Sequence, residues 1–212
     1  MPRLPRIYVP DVSCHVFPRG IDGSAIAKDD FDRQHLLSAI RRVARCGQVR
    51  VHSFAIMSTH YHMIITPDDD RALGRAMQRI GLSHTRHFNR RYARTGTIWN
   101  ERYDSSLLDT QEYWYNCLRY VDLNPFRAQV VKAPEDSPWS SYRVHALGER
   151  CDWLTPHPLY LRLGSTPAMR QAAYRSLCKV PLSDEELAAL RFPGLRVAGA
   201  PLANVAASVE QV

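Results

Sequence analysis

The segment Phe54-Ala-Ile-Met-Ser-Thr-His-Tyr-His-Met-Ile-Ile65 is apolar except for a Ser-Thr pair and two histidines. Side chains of an extended chain alternate between faces, so His60 and His62 point the same way and Tyr61 points the opposite way. Two imidazoles on one strand face can share a metal ion or grip one phosphate. The segment therefore predicts two adjoining strands and a candidate site on the second of them.

The segments on either side complete the predicted architecture. The order β-α-β-β-α-β predicts an α+β fold with a ferredoxin-like or RRM-like antiparallel sheet and two helices on one face. In chain order we expect a strand Val12–Phe17, a helix from about Asp29 through Cys46, strands at about Val49–Met57 and His60–Thr66, a helix to about Ala93, and a strand Thr97–Leu108.

A further helix is predicted after the sheet, with a cap at Asp109 or Thr110 and a stop at Pro125. Tyr120 and Asn124 stand four residues apart on this helix, on the flank of its buried stripe. We therefore expect Tyr120 to be neither fully buried nor fully in solvent. The stripe itself, at i, i+3, i+4 and i+7, consists of Trp114, Cys117, Leu118 and Val121.

Beyond residue 133 the chain becomes richer in proline and less regular. We expect a first domain over residues 1–133 and an extension over residues 134–212 that packs partly on it, with an irregular helical tail. A helix from about Pro167 to Cys178 is predicted within the extension. The last stretch, from about residue 193, has few large apolar side chains, and we expect it to be poorly ordered.

The positive charge of the chain is local. The net charge of the chain is +7, and the segment from Arg33 to Asn100 contains twelve arginines but only three carboxylates. A local basic field is expected where a phosphate polymer binds. A coding bias toward arginine is the alternative explanation, although it does not account for the missing acids. Two trios spaced by four residues form ridges on the predicted second helix: Arg71, Arg75 and Arg79, and Arg86, Arg90 and Arg94.

The remaining composition excludes several classes of protein. The five cysteines form no C-x-x-C pair, which argues against a disulfide framework or a cysteine-type zinc site. The N-terminus lacks the apolar core of a secretory signal, and no apolar run approaches the roughly 20 residues of a membrane span. We therefore expect a soluble, cytoplasmic protein with no membrane partner.

Four side chains could together break a phosphodiester. Such a reaction needs a nucleophile and a means of neutralising the phosphate oxygens. Tyr120 could attack phosphorus and become covalently attached. His60, His62 and an amide from Asn124 could hold a divalent ion. Each residue also has a plain structural explanation, as a hydrogen-bonded strand histidine, a packing tyrosine or a helix cap; their joint occurrence favours the chemistry.

These motifs resemble those of the single-tyrosine HUH transposases, and specifically the REP-associated tyrosine transposase branch. The His-hydrophobic-His signature corresponds to His60-Tyr61-His62, and the Tyr-x-x-x-Asn element to Tyr120-Val-Asp-Leu-Asn124, followed by Pro and Arg127. The basic and aromatic segment from Phe88 and the Pro-Trp-Ser-Ser-Tyr142 element are also similar. The resemblance spans residues 12 to 163.

The resemblance implies a metal-dependent DNA nickase and strand transferase acting on single-stranded DNA with hairpins, such as palindromic repeats. Tyr120 would form a 5′-phosphotyrosine, and His60, His62 and Asn124 would bind Mg²⁺ or Mn²⁺. A homodimer that exchanges tyrosine helices is one possible assembly. The residues expected to contact DNA are Arg71, Arg75, Arg79, Arg86, Arg90, Arg91, Arg94, Arg102 and Arg127.

Two other function classes remain open. The first is a non-catalytic module that binds single-stranded nucleic acid on an RRM-like sheet, which predicts exposed aromatic residues on the sheet face. The second is a zinc-dependent hydrolase that uses the histidines, although the chain lacks an H-E-x-x-H motif.

Overall fold

A computed structural model describes residues 10–191 of the chain and has a four-stranded antiparallel sheet at its centre. Two helices, α1 (Asp30–Arg45) and α2 (Ala72–Arg91), form the crossovers. The β-α-β-β-α-β order and the α+β class are confirmed. In chain order the strands are β1 (Cys14–Phe17), β2 (Val49–Ile56), β3 (Tyr61–Pro67) and β4 (Asp104–Leu107), and across the sheet the order is β2-β3-β1-β4.

The predicted pair of adjoining strands is the β2–β3 hairpin. The backbone N–H of Met57 donates to the carbonyl of His60 at 2.9 Å and closes the turn. All seven residues of β3 are buried. Tyr61 and Met63 lie in the core cluster beneath α1 and α2, whereas Ile64 lies in the cluster on the other face. A slip of one residue would exchange the two faces, so burial on both sides holds the register.

The second face of the sheet is covered by α3 (Gln111–Asp122), and its predicted buried stripe is correct. Trp114, Cys117, Leu118 and Val121 are each at most 1% exposed. The extension lies against the outer side of α3, where Arg119 donates to the carbonyls of Leu177 and Val180 at 3.2 and 2.9 Å. Its helices are α5 (Tyr142–Leu147), α6 (Pro158–Leu161), α7 (Pro167–Lys179) and α8 (Asp184–Arg191).

The division of the chain at residue 133 stays a prediction, and the tail expected from about residue 193 lies outside the described residues. Between residues 10 and 191, none of the helices has both the length and the apolar character needed to cross a membrane.

The fourth strand is shorter than predicted. It covers Asp104–Leu107, whereas the sequence predicted a strand over Thr97–Leu108. The residues before it bond instead to the segment after β1: Ile21 N donates to Ile98 O, and Asn100 N donates to Arg19 O, both at 3.0 Å. Because these partners satisfy the backbone, the chain bends before it enters the sheet.

The helix that carries Tyr120 also ends earlier than predicted. It ends at Asp122, and Asn124 begins a separate short helix, α4 (Asn124–Arg127). Pro125 has no N–H to continue the hydrogen-bond pattern of α3. The prediction that Tyr120 and Asn124 share one helix is therefore wrong.

Asp122 joins the sheet, α3 and the extension. It is 1% exposed, and its carboxylate accepts hydrogen bonds from four side chains. A buried carboxylate is tolerated only when its lone pairs are satisfied in this way. The donors are Ser53 on β2 (2.8 Å), Ser141 (2.5 Å), His145 Nδ1 on α5 (2.7 Å) and Tyr174 Oη on α7 (2.7 Å).

Replacing Asp122 with alanine should destabilise the protein by about 3–5 kcal/mol, because four buried donors lose their acceptor. Urea unfolding followed by circular dichroism measures the change. Asp30→Ala is the control, since that side chain is 75% exposed and should change stability by less than about 0.5 kcal/mol. Equal unfolding midpoints for the two variants would contradict the assigned role of Asp122.

Candidate active site

The four side chains singled out from the sequence lie close together on the α3 face of the sheet. The ring centroids of His60 and His62 are 5.0 Å apart, and the ring of Tyr120 is 5.4 Å from that of His62. The side chain of Asn124 hydrogen-bonds His60. Strand alternation places both histidines on one face, and the packing of α3 on that face brings the phenol to them.

A third histidine, His15 on β1, belongs to the same cluster and was not predicted. Its Nε2 lies 3.0 Å from Nδ1 of His62, and the two rings are stacked at 5.1 Å. The ring of Tyr120 meets its edge at 6.0 Å. A signal for it was present, because a histidine between Cys14 and Val16 points to the opposite face from those two core residues.

Burial keeps the three imidazoles uncharged at neutral pH. It lowers the pKa of His15 to about 3 and that of His60 to about 4. It also lowers the pKa of His62 well below the ordinary value, with further lowering from His15, His60 and Arg19. A neutral imidazole retains the lone pair that a metal ion requires.

Tyr120 is more buried than predicted, at 8% exposure. The amphipathic pattern of α3 predicted a position on the flank of the buried face, neither fully buried nor fully in solvent, but the same core cluster includes residues of α6, α7 and α8 that cover α3. Arg127 of α4 lies with its guanidinium carbon 5.3 Å from the Tyr120 ring centroid. The phenol therefore lies between an imidazole cluster and a fixed positive charge.

The donor set can accommodate a divalent ion. Nε2 of His62 is buried and has no hydrogen-bond partner, while His15 lies against the other ring nitrogen. In this arrangement the His15 ring can accept a hydrogen bond from His62, which orients the His62 ring and leaves the lone pair of its Nε2 for a metal ion. Within residues 10–191, no group of three or more His, Cys, Asp or Glu side chains is placed to hold a metal. The Asn124 amide would therefore have to serve as the third protein ligand.

The predicted DNA-contacting arginines are spread over two sides of the molecule. Arg127 lies beside Tyr120, whereas the arginines of α2 lie on the opposite side of the sheet. The ridges are less regular than predicted, since Arg94 follows the end of α2 and Arg75 pairs with Asp69 at 2.6 Å. Arg71, Arg79, Arg86, Arg90, Arg94 and Arg102 are exposed.

The sequence of the basic segment indicated arginines without acidic partners, but Arg91 has two such partners. Its guanidinium pairs with Asp29 at 2.5 Å and with the buried Asp32 at 2.8 Å. These contacts join the end of α2 to the start of α1. The expected contact of Arg91 with DNA stays a prediction, as do those of the other arginines.

One known family matches the part of the chain that contains the sheet, the histidine pair and the tyrosine helix. The family model described as "Transposase IS200 like" matches residues 9–124, more than half of the chain. The chain therefore belongs to the IS200-like transposases.

Two solved structures resemble the chain. A REP-associated tyrosine transposase bound to a REP hairpin has a TM-score of 0.59 at 18% identity, over 75% of this chain and 93% of that chain. A candidate transposase from Deinococcus radiodurans R1 has a TM-score of 0.40 at 14% identity, over 63% of this chain and 96% of that chain. The first similarity establishes a common fold. No curated protein sequence matches the chain.

The buried histidines predict a pH dependence of stability. Between pH 6.5 and about 3, the unfolded chain takes up a proton at His15 that the folded protein excludes. The free energy of unfolding should therefore fall as the pH is lowered through this window, by up to about 1.4 kcal/mol per pH unit for this residue. His15→Gln keeps a polar side chain that does not titrate, so its urea midpoint should fall less steeply than that of the wild type. Parallel pH profiles would contradict the assignment.

Proposed function

We propose that this IS200-like transposase cuts and rejoins single-stranded DNA next to hairpins through a covalent tyrosine intermediate. The observation that carries the proposal is the placement of Tyr120 against His62, with His60 and Asn124 hydrogen-bonded beside them. The similarity in fold to a transposase bound to a REP hairpin supports hairpin DNA as the substrate class.

In the proposed reaction the Tyr120 oxygen attacks phosphorus in line with the bond to the 3′ oxygen. A phosphorus–oxygen bond forms to tyrosine and the phosphorus–O3′ bond breaks, which leaves a 5′-phosphotyrosine and a free 3′-hydroxyl. The phenol loses a proton and the leaving oxygen gains one. The intermediate retains a phosphodiester, so a second 3′-hydroxyl can displace Tyr120 without ATP.

His60, His62 and Asn124 would hold a divalent ion, for which we propose Mg²⁺ or Mn²⁺. Such an ion, when bound, neutralises phosphate oxygens and makes the phosphorus more electrophilic. The protein contributes neutral imidazoles, because burial disfavours their protonation. Arg127 lies beside the phenol and can bind a phosphate oxygen by charge-assisted hydrogen bonds.

The alternative of a non-catalytic RRM-like module is less consistent with the structure. That binding mode uses exposed aromatic residues on an open sheet face. Here one face lies beneath α1 and α2 and the other beneath α3. The residues of β3 are buried on both sides, so neither face is available for stacking bases.

Tyr120→Phe should abolish the covalent protein–DNA adduct, since phenylalanine has no oxygen to attack phosphorus. The adduct is detected by denaturing electrophoresis of a labelled hairpin oligonucleotide with a single-stranded flank. Hairpin binding should remain within about threefold of the wild type, because only one buried hydroxyl is lost. Tyr115→Phe, on the same helix, is the control and should form adduct normally. Adduct formation by Tyr120→Phe would refute the assigned nucleophile.

His62→Gln should remove stabilisation by metal. For the wild type, Mn²⁺ at about one hundred times its dissociation constant should add about 2.7 kcal/mol to the free energy of unfolding. Thermal unfolding with and without Mn²⁺ measures this effect. His52→Gln is the matched control, because His52 is buried on the neighbouring strand and bonds Thr155 O and Thr66. An equal response to Mn²⁺ in all three proteins would exclude His62 as a ligand.

A further inference from the structure

A cavity of about 910 Å³ lies on the side of the sheet that α2 covers. Its size falls within the roughly 300–1,000 Å³ of small-molecule sites. Three aromatic side chains, Tyr61, Trp99 and Tyr103, line it together with residues of α2. It is separate from the histidine cluster, which lies on the opposite face of the sheet.

Two glycines of α2 line this cavity. Glycine is the least favourable helix residue after proline, so its use inside α2 calls for a reason. A Cβ on Gly81 would stand 3.4 Å from Nε1 of Trp99, whose indole donates to the Gly81 carbonyl at 3.3 Å. A Cβ on Gly74 would meet no atom within 4 Å. Packing therefore does not require glycine at residue 74, and its missing side chain leaves the cavity open.

Polar groups surround the aromatic wall. Gln78, Thr85 and Asn100 line the cavity and offer both hydrogen-bond donors and acceptors. Arg102, also a lining residue, is exposed and can reach a phosphate. The carboxylates of Asp70 and Glu101 also line the cavity and can accept hydrogen bonds from the amino group of a base. A planar aromatic ligand with a polar edge, and with a phosphate held at Arg102 away from these carboxylates, would match this lining, and a nucleotide has that composition.

The cavity adjoins the proposed active site through the backbone. Tyr61, in its wall, lies between His60 and His62 in the chain. Trp99 forms an antiparallel β-bridge with Gly20. Arg19, the residue before Gly20, forms an antiparallel β-bridge with His60. A strand of DNA whose phosphate lies at the histidines could therefore pass over the end of the sheet and place a neighbouring base in the cavity.

We propose that this cavity binds an unpaired base of the single-stranded DNA flank, stacked on Trp99 or Tyr103, and so sets where the strand lies relative to Tyr120. The inference rests on the proposed function, because that function supplies the single strand. Any base can stack on an aromatic side chain. The side-chain amides of Gln78 and Asn100 can hydrogen-bond the edge of the base and so favour some bases over others.

The test is a binding experiment on the full chain carrying Tyr120→Phe, without divalent metal, so that no cleavage intervenes. The probes are a fluorescent hairpin oligonucleotide with a short single-stranded flank and versions in which each flank nucleotide in turn is abasic. We expect affinity to fall about tenfold at one or two flank positions. Adding Gly74→Leu should weaken binding of the intact probe by a similar factor and remove the sensitivity to those abasic positions.

Gly74→Ala is the matched control and should bind like the parent, because its small side chain leaves most of the cavity free. Both substitutions should keep or raise the melting temperature, since alanine and leucine favour helix more than glycine does. Trp99→Leu provides a second variant that removes a stacking surface and should lose the same abasic sensitivity. A blunt hairpin without a flank should bind all variants equally.

The proposal is overturned if Gly74→Leu binds the intact probe as tightly as the parent does. It is also overturned if abasic substitutions weaken binding to Gly74→Leu and to Trp99→Leu as much as they weaken binding to the parent. The result is independent of the covalent chemistry. If the otherwise wild-type chain forms no adduct, the proposed function fails even where Gly74 controls binding. If it forms an adduct and the cavity variants bind normally, only this inference fails.

Discussion

Burial of β3 on both faces is the constraint on which the rest of the structure depends. A strand with core on each side cannot slip by one residue without exchanging its two sets of side chains. This holds Tyr61 beneath α1 and α2, and it holds His62 beneath α3. The same burial excludes water from the imidazoles, so their neutral form is favoured. The register of β3 and the neutral state of its imidazoles thus have one physical cause.

The extension after residue 133 contributes to the site without supplying any of its predicted groups. Helix α3 lies between the sheet and this extension, so Tyr120 is enclosed by two layers. The carboxylate of Asp122, two residues from Tyr120, gathers donors from β2, α5 and α7. This buried hydrogen-bond network fixes the end of α3 next to Tyr120, because such a network is costly to leave half satisfied.

Two of the errors in the sequence-based predictions originate in contacts between distant segments. A strand was predicted from Thr97, but backbone hydrogen bonds to Arg19 and Ile21 redirect the chain. The charge pattern of α2 indicated unpaired arginines, but Arg91 meets two aspartates of the α1 segment. In both cases a partner from elsewhere in the chain changed the outcome.

From sequence alone, the β-α-β-β-α-β order, the hairpin and the shared face of His60 and His62 could be predicted, because alternation and helical periodicity are properties of neighbouring residues. The motifs also indicated which tyrosine and asparagine to consider. Only the tertiary structure showed that His15 joins the cluster, that Tyr120 is enclosed and that glycines of α2 line a cavity. These features depend on which surfaces meet when the layers pack, and a one-dimensional pattern does not contain that information.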